Sequence, residues 1–327
     1  MEPDDLTPPK PSNHFLKFHG KGSTYFGIVA INVVLTILSL GLYYPWAKER
    51  YRKYIWNETE FKNTRFVFNG TGKEMFKGFM IAYVFMIAFY GCYFALTSST
   101  SFEPILIGAM FLVILISSLL LVPFAIYSSW RYRVSRTSWR GIYFSFSGKF
   151  SEYFPLYFKY LFLTIITFGF AFTWFKTNVQ KYLVSHTHLG NLDMDFHGEG
   201  SELLGINILG SMLSYMTLGI YYPYFLANRY NFTVNNTTVS DRTIRRRMNS
   251  SLTGSHLLGV LFVNFILLIC TLGLAFPFTK MRYLQALIDN TQFPEDLDYD
   301  AIEQDATFYN KAAGEELLDI LDVDIDF

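Results

Sequence analysis

The sequence predicts an all-α membrane protein, with six transmembrane helices forming two inverted three-helix repeats and short β-like Phe-x-Gly segments at the membrane faces. Three observations carry that expectation: an apolar composition, apolar runs of spanning length, and cassettes that recur along the chain. Of 327 residues, 51% are hydrophobic, 19% aromatic and only 17% charged, and the mean hydropathy is +0.22. Soluble domains carry about 25% charged residues, so the apolar excess belongs in lipid or in a very large core. Its concentration in runs favours lipid, because a ~30 Å hydrocarbon core needs ~20 apolar residues per helix. The runs are Tyr25–Trp46, Phe79–Leu96, Ile105–Tyr127, Phe154–Phe175, Leu203–Leu226 and His256–Phe278.

The segment before the first run, Met1 to Thr24, holds four prolines and two aspartates without an apolar stretch. It does not read as a cleavable signal peptide, and residues 1–14 are expected to form an N-terminal tail. Orientation follows from lysine and arginine, which favour cytoplasmic loops. Lys48, Arg50, Arg52, Lys53, Lys62, Arg65 and Lys73 follow the first run; Arg131, Arg133, Arg136, Arg140 and Lys149 follow the third; Arg229, Arg242, Arg245, Arg246 and Arg247 follow the fifth. The turn from Thr97 to Pro104 has none. This pattern predicts both termini outside the cytoplasm. Cys92 and Cys270 fall inside runs and read as small apolar side chains rather than as a disulfide or metal pair. From residue 293 onward the chain is strongly acidic and reads as a solvated tail, with an amphipathic segment docking on a basic partner as the alternative.

Phe18-His-Gly-Lys-Gly-Ser23 recurs as Phe196-His-Gly-Glu-Gly-Ser201, and Phe66-Val-Phe68-Asn-Gly70 as Phe144-Ser-Phe146-Ser-Gly148. Gly20 and Gly148, like Gly70 and Gly198, stand 128 residues apart, which predicts repeats over residues 15–145 and 146–292. Three spans per half make the halves inverted, a plan common in transporters. A second cassette crosses that register: Ser39-Leu-Gly41-Leu-Tyr-Tyr-Pro45, Thr167-Phe-Gly169, Thr217-Leu-Gly219-Ile-Tyr-Tyr-Pro223 and Thr271-Leu-Gly273-Leu-Ala-Phe-Pro277. Each proline marks a helix exit or kink. The Phe-x-Phe-x-Gly pieces read as very short strands ending in a glycine turn.

Phe18-x-Gly-x-Gly, Gly27-Ile-x-x-x-Asn32, Pro45-Trp-Ala-Lys-x-Arg50, Arg52-Lys-Tyr54, Asn57-x-Thr59 and Phe66-x-Phe-x-Gly70 together resemble the YjgN family of bacterial inner-membrane proteins. The resemblance runs from about residue 15 to 291. It implies a multi-pass protein of the bacterial inner (plasma) membrane and brings no activity, substrate or catalytic residue.

Polar residues within apolar runs are the candidate sites. Asn32 and Asn264 lie deepest and share a context, which allows either a hydrogen bond gluing helices or a midplane binding site shared across the two halves. His19 and His197 occupy equivalent positions and form only a weak metal candidate, since two ligands are too few; His186 and His188 are nearby in sequence. No nucleotide loop, Gly-x-Ser-x-Gly elbow, Cys-x-x-Cys or metalloprotease pattern occurs, so no cofactor, metal or enzymatic activity is expected. Topology accounts for the basic loops without nucleic acid. The expected partner is the lipid bilayer, with a small solute. The reading is a small-solute transporter or channel-like protein; the alternative is a non-transporting membrane scaffold or lipid-organising protein.

Overall fold

The computed structural model describes residues 15–98, 104–241 and 244–304. Within them the chain repeats a strand–helix–helix–strand unit five times. The first unit is β1 (Lys17–Phe18), α1 (Gly22–Leu38), α2 (Tyr44–Asn57) and β2 (Thr59–Phe61). The second is β3 (Thr64–Phe68), α3 (Gly72–Ser98), α4 (Pro104–Ser135) and β4 (Thr137–Trp139). β5 (Ile142–Phe146), α5 (Phe150–Ile166), α6 (Phe172–Ser185) and β6 (Thr187–Leu189) make the third. The fourth is β7 (Leu192–Phe196), α7 (Gly200–Met216), α8 (Tyr222–Asn235) and β8 (Thr237–Ser240). After β9 (Arg245–Arg247), the fifth comprises β10 (Asn249–Ser250), α9 (Gly254–Cys270), α10 (Phe276–Ile288) and β11 (Thr291–Gln292).

The strands make one antiparallel circuit. β1 to β9 pair in sequence order, and β10 pairs with β11. The circuit closes through a bridge between Phe15 and Gln292 and the bond from Leu16 N–H to the Thr291 carbonyl. Met248 N–H, bonding the Thr237 carbonyl, carries the ladder from β9 toward β10. The helices close likewise, since each packs on its sequence neighbour and α10 returns to α1. The ring is closed but for the outer edge of β9, whose ladder runs to β8 alone, so little sheet edge is left open.

Local chemistry explains the unit. Four hairpins turn on the Ser/Thr-Leu/Phe-Gly cassette, whose second and third residues have left-handed φ: 51° and 92° at Leu40 and Gly41, 52° and 89° at Phe168 and Gly169. The glycine N–H reaches back to the carbonyl five residues earlier, as Gly41 to Thr36 at 2.7 Å, a 6→1 helix cap. The hydroxyl of Ser39, Thr167, Thr217 or Thr271 accepts the N–H four residues on, which starts the returning helix. Each returning helix ends at a threonine, Thr59, Thr137, Thr187, Thr237 or Thr291, whose hydroxyl donates to the carbonyl four residues back. In the Phe-x-Gly motif the ring of Phe18, Phe68, Phe146 or Phe196 folds over the glycine two residues later, leaving no room for a Cβ.

This architecture corrects the expected six-span, all-α fold. A nine-stranded sheet is present, and among the described residues only Gly72–Gly91 is a helix long and apolar enough to cross a membrane. The prolines at 45, 223 and 277 open returning helices instead of marking exits. Of the basic residues assigned to loops, Lys48, Arg50, Arg52, Lys53, Arg131, Arg133 and Arg229 lie in the returning helices, and Arg65, Arg245, Arg246 and Arg247 lie in strands. Because every hairpin leaves from and returns to the same strand ring, all units share one orientation. Inversion of two halves is therefore overturned: each unit holds an even number of helices. The 128-residue offset spans two units, as Thr59 to Thr187. The second unit departs from the others, with helices of 27 and 32 residues against 17 and 14 in the first.

Inside the strand ring, the second residue after each threonine points inward: Phe61, Trp139, Leu189, Val239 and Phe293. Leu297, Tyr299 and Ile302 cover this layer and are 3, 2 and 7% exposed. The start of the acidic segment is thus a strap across the ring, not a solvated tail; residues 305–327 lie outside the described residues. It engages four successive hairpins: Lys62 sits over the Tyr299 ring, Arg140 pairs with Asp300, Asn191 accepts from Glu303 N–H, and Arg246 pairs with Asp296. Burial pushes the Tyr299 hydroxyl above its ordinary pKa, while the hydrogen bond and charge of Arg140 hold Asp300 below its own.

Candidate functional site

In the first, third, fourth and fifth units the two helices of the hairpin have different surroundings. There the first helices carry most of the exposed large apolar side chains, including Ile37, Leu38, Ile166, Met216 and Ile269, whereas in the second unit both helices expose them, as at Ile87 and Phe111. The second helices, α2, α4, α6, α8 and α10, approach one another. Trp56 Nε1 donates to Thr137 Oγ1 at 2.9 Å, Trp130 Nε1 donates to Thr187 Oγ1 at 3.2 Å, and the Lys280 ammonium lies 3.9 Å from the Tyr51 ring centroid. These bonds join successive units, so the second helices form the inner layer.

That layer is basic. Lys48, Lys176 and Lys280 each stand eleven residues before the threonine of their unit and so occupy one register. Arg52 lies one turn further along α2, and Arg133 on α4 and Arg229 on α8 also stand nearer the strand ring than that register. None of the six forms an ion pair among the described residues. Arg52 is 7% exposed and is held by the Met75 sulfur and the Phe68 and Tyr132 rings. Like charges face each other here, Arg52 with Arg133 and Lys176 with Arg229. Burying an unpaired cation is unfavourable unless an anion compensates it.

Two cavities open along this layer. One, of about 620 Å³, lies between α2 and α4 and is lined by Lys48, Tyr51, Arg52, Trp56, Ser129 and Arg133 among others. The other, of about 400 Å³, lies toward the strands, with Ile55, Phe66, Trp130, Phe144, Ile288 and Phe293 in its wall. Trp56 and Arg133 line both, so the cavities adjoin. No carboxylate lines either one.

Asn32 and Asn264 are buried, but each amide bonds within its own hairpin: Asn32 Nδ2 to the Ala47 carbonyl at 3.3 Å, and Asn264 Nδ2 to the Thr279 carbonyl at 3.1 Å. They line neither cavity, and the two-fold axis that was to bring them together is absent. His19 bonds Glu60 in the first unit, and His197 lies in the fourth, which is not its neighbour in the ring. Burial lowers the His197 pKa, nearby Arg245, Lys181 and Arg247 add to this, and Asp195 opposes it. Among the described residues no group of three or more His, Cys, Asp or Glu is placed to hold a metal.

Ser147, His188 and Asp193 have the connectivity of a nucleophile, base and carboxylate, at 2.8 and 2.6 Å. The corresponding positions of the first and second units hold His19 on Glu60 and Asn69 on Ser138. The Ser147–His188 contact is therefore one instance of a cross-strand bond repeated around the ring. Sequence reasoning misses the basic inner layer because Lys48, Arg52, Arg133 and Arg229 read as loop charges; the eleven-residue spacing of Lys48, Lys176 and Lys280 to the threonines is the available signal.

A closed ring of helical hairpins on a strand collar, with a cationic interior, defines the class of molecule. The chain belongs to the family described as bacterial protein of unknown function (DUF898), which it matches over residues 13–195 and 222–320. It is similar to inner membrane protein YjgN of Escherichia coli O157:H7, at 36% identity over 137 residues, covering 42% of this chain and 32% of that protein. Inner membrane protein YjgN of Salmonella typhimurium strain LT2 is 31% identical over 134 residues, covering 41% and 31%. The chain thus spans about a third of the length of these relatives. No solved structure matches it.

Proposed function

We propose that this protein is a ring embedded in the bacterial inner membrane, and that its cationic interior receives a small anionic solute for gated passage. The observation that carries the reading is the buried Arg52, which lines a cavity with Lys48 and Arg133 and with no carboxylate in its wall. Membrane location is supported by the names of the relatives and by the hairpin tips. Leu40, Phe168, Leu218 and Leu272 are 82, 101, 95 and 94% exposed, an arrangement suited to lipid and unfavourable in water. A 17-residue helix is about 25 Å long and falls short of a ~30 Å core, so these hairpins reach into the bilayer from one side. The longer second hairpin has the length to cross. The strap over the strand ring supports gating, because it closes that end of the interior.

The test is efflux of small anions from proteoliposomes containing the purified protein, compared with Arg52→Gln. Anion efflux that exceeds cation efflux and falls in the variant is expected. Equal permeability to both signs, or none to either together with no saturable anion binding, overturns the reading.

A further inference from the structure

The two adjoining cavities differ too much in chemistry for a simple inorganic anion to use both. In the cavity near the strands the polar groups are already committed. Thr59, Thr137 and Thr187 donate to the carbonyls of Ile55, Arg133 and Leu183, and the hydroxyls of Thr137 and Thr187 also accept from the two indoles. What this wall offers a guest is aromatic and aliphatic surface. Its volume of about 400 Å³ falls within the ~300–1,000 Å³ usual for small organic ligands. The neighbouring cavity adds charge: Lys48, Arg52 and Arg133 stand in its wall beside Val122, Ala125 and Ile126, with no carboxylate to neutralise them. Arg133 and Trp56 stand at the junction and belong to both walls.

We infer that the paired cavities form one binding site for an anionic amphiphile, a single alkyl chain ending in a carboxylate or phosphate. The head sits against Arg52 and Arg133, and the chain fills the aromatic cavity beside Trp56 and Trp130. The inference rests on the anion-receiving reading above and narrows its ligand class. Its energetics divide accordingly. The head supplies charge-assisted hydrogen bonds to guanidinium groups that otherwise have no anion. The chain contributes ~0.8 kcal/mol per buried methylene, about a fourfold gain in affinity for each.

The site carries its own reporters, since two of the five tryptophans, Trp56 and Trp130, line it. Trp46 and Trp174, near the hairpin turns, are first replaced by Phe so that bilayer quenching does not intrude. The protein is placed in nanodiscs and titrated with ω-bromoundecanoate, whose bromine quenches indole fluorescence on contact. Neutral ω-bromoundecanol, acetate and inorganic phosphate serve as comparisons. The expected result is saturable quenching by the bromo acid that falls at least tenfold in apparent affinity in Arg52→Gln/Arg133→Gln. Trp56→Phe removes a large share of the signal, and the bromo alcohol does not saturate. Thermal melting confirms that each variant is folded. Competition by dodecanoate but not lysophosphatidate supports the inference with a free fatty acid as ligand; the reverse supports it with a lipid headgroup. Saturable binding of phosphate or acetate, monitored by calorimetry, without quenching by the bromo acid overturns the amphiphile inference and leaves the anion reading standing. Binding of none of these anions removes both.

Discussion

In the first unit the two arms of the hairpin carry opposite chemistry although a seven-residue cassette, Ser39 to Pro45, joins them. The first arm of the opening unit, α1, is nearly all apolar, while α2 carries Lys48, Glu49, Arg50, Arg52 and Lys53 within fourteen residues. The apolar arm faces outward and the basic arm inward. A soluble protein would have reversed that arrangement, since apolar surface leaves water and charge stays in it. The inversion suits a surround of lipid and an interior that receives charge. Burial therefore teaches less here than pairing does: what identifies the interior as a site is that its cations lack anions, not that it is enclosed.

That contrast is open to direct attack. The largest effect is expected on the inner arms, where Arg52→Gln combined with Arg133→Gln lowers anion binding at least tenfold. Hydrogen bonds to charged groups contribute ~1.5–3 kcal/mol, and ~1.4 kcal/mol is one decade. Anion titration by calorimetry reads this, and unchanged affinity would remove these two arginines from the site. On the outer arms, Phe168→Lys leaves the melting temperature in detergent within error but weakens membrane association. A lysine costs ~2.5–3.5 kcal/mol at the centre of an apolar span, with less at a tip that can snorkel. Flotation with liposomes measures it, and undiminished association would argue against lipid contact at that turn.

Between the arms, Asn264→Ala is expected to destabilise by ~1–3 kcal/mol, the usual range for losing a buried hydrogen bond, while leaving anion affinity unchanged. Asn32→Ala follows with a smaller loss, because its bond is 3.3 Å against 3.1 Å and the residue is more exposed, 9% against 5%. Denaturation in mild detergent compares them. A loss of anion affinity without a loss of stability would return these amides to the binding site.

Much of the local structure was legible. The Phe-x-Gly pieces are strands ending at glycine because a Phe ring covers that glycine, and the aromatic-proline cassettes do sit at helix boundaries. Their sense was not. Pro45 after Tyr44 reads equally as the end of one helix or the start of the next, and only the left-handed pair Leu40–Gly41 with the Ser39 cap resolves it. Hydropathy hides α2 because a helix with five charges in fourteen residues resembles a loop on a window average. Units of unequal length concealed the five-fold repeat, since the long second hairpin and the β8–β9 excursion both break the period. Asn32 and Asn264 were recognised as buried polar partners, whereas Arg52 and Arg133 were counted only for topology.

The strap offers the smallest effects. Gly190 has φ of +55° and abuts the Glu303 carbonyl with no room for a Cβ. Gly190→Ala is expected to raise cleavage within 293–304 by limited proteolysis; equal protection would show that the strap is held elsewhere. The Asp300–Arg140 pair adds a pH dependence. Because Asp300 titrates below its ordinary value, its contribution to docking is fully present above the ordinary aspartate pKa. It is lost as the pH falls through the depressed native value, so protection should hold at neutral pH and weaken below about pH 4. Arg140→Gln should abolish that slope.

The central claim, a cationic interior formed by the second helices, is tested most directly by thiol chemistry at Ser129, which lines the cavity beside Arg52 and Arg133. In a background with Cys92 and Cys270 replaced by Ala, Ser129→Cys is reacted with an anionic and a cationic methanethiosulfonate of similar size. Relative to their rates with a free thiol, the anionic reagent is predicted to react at least tenfold faster than the cationic one, and salt should narrow the gap. Equal rates, or preference for the cationic reagent, would contradict the account.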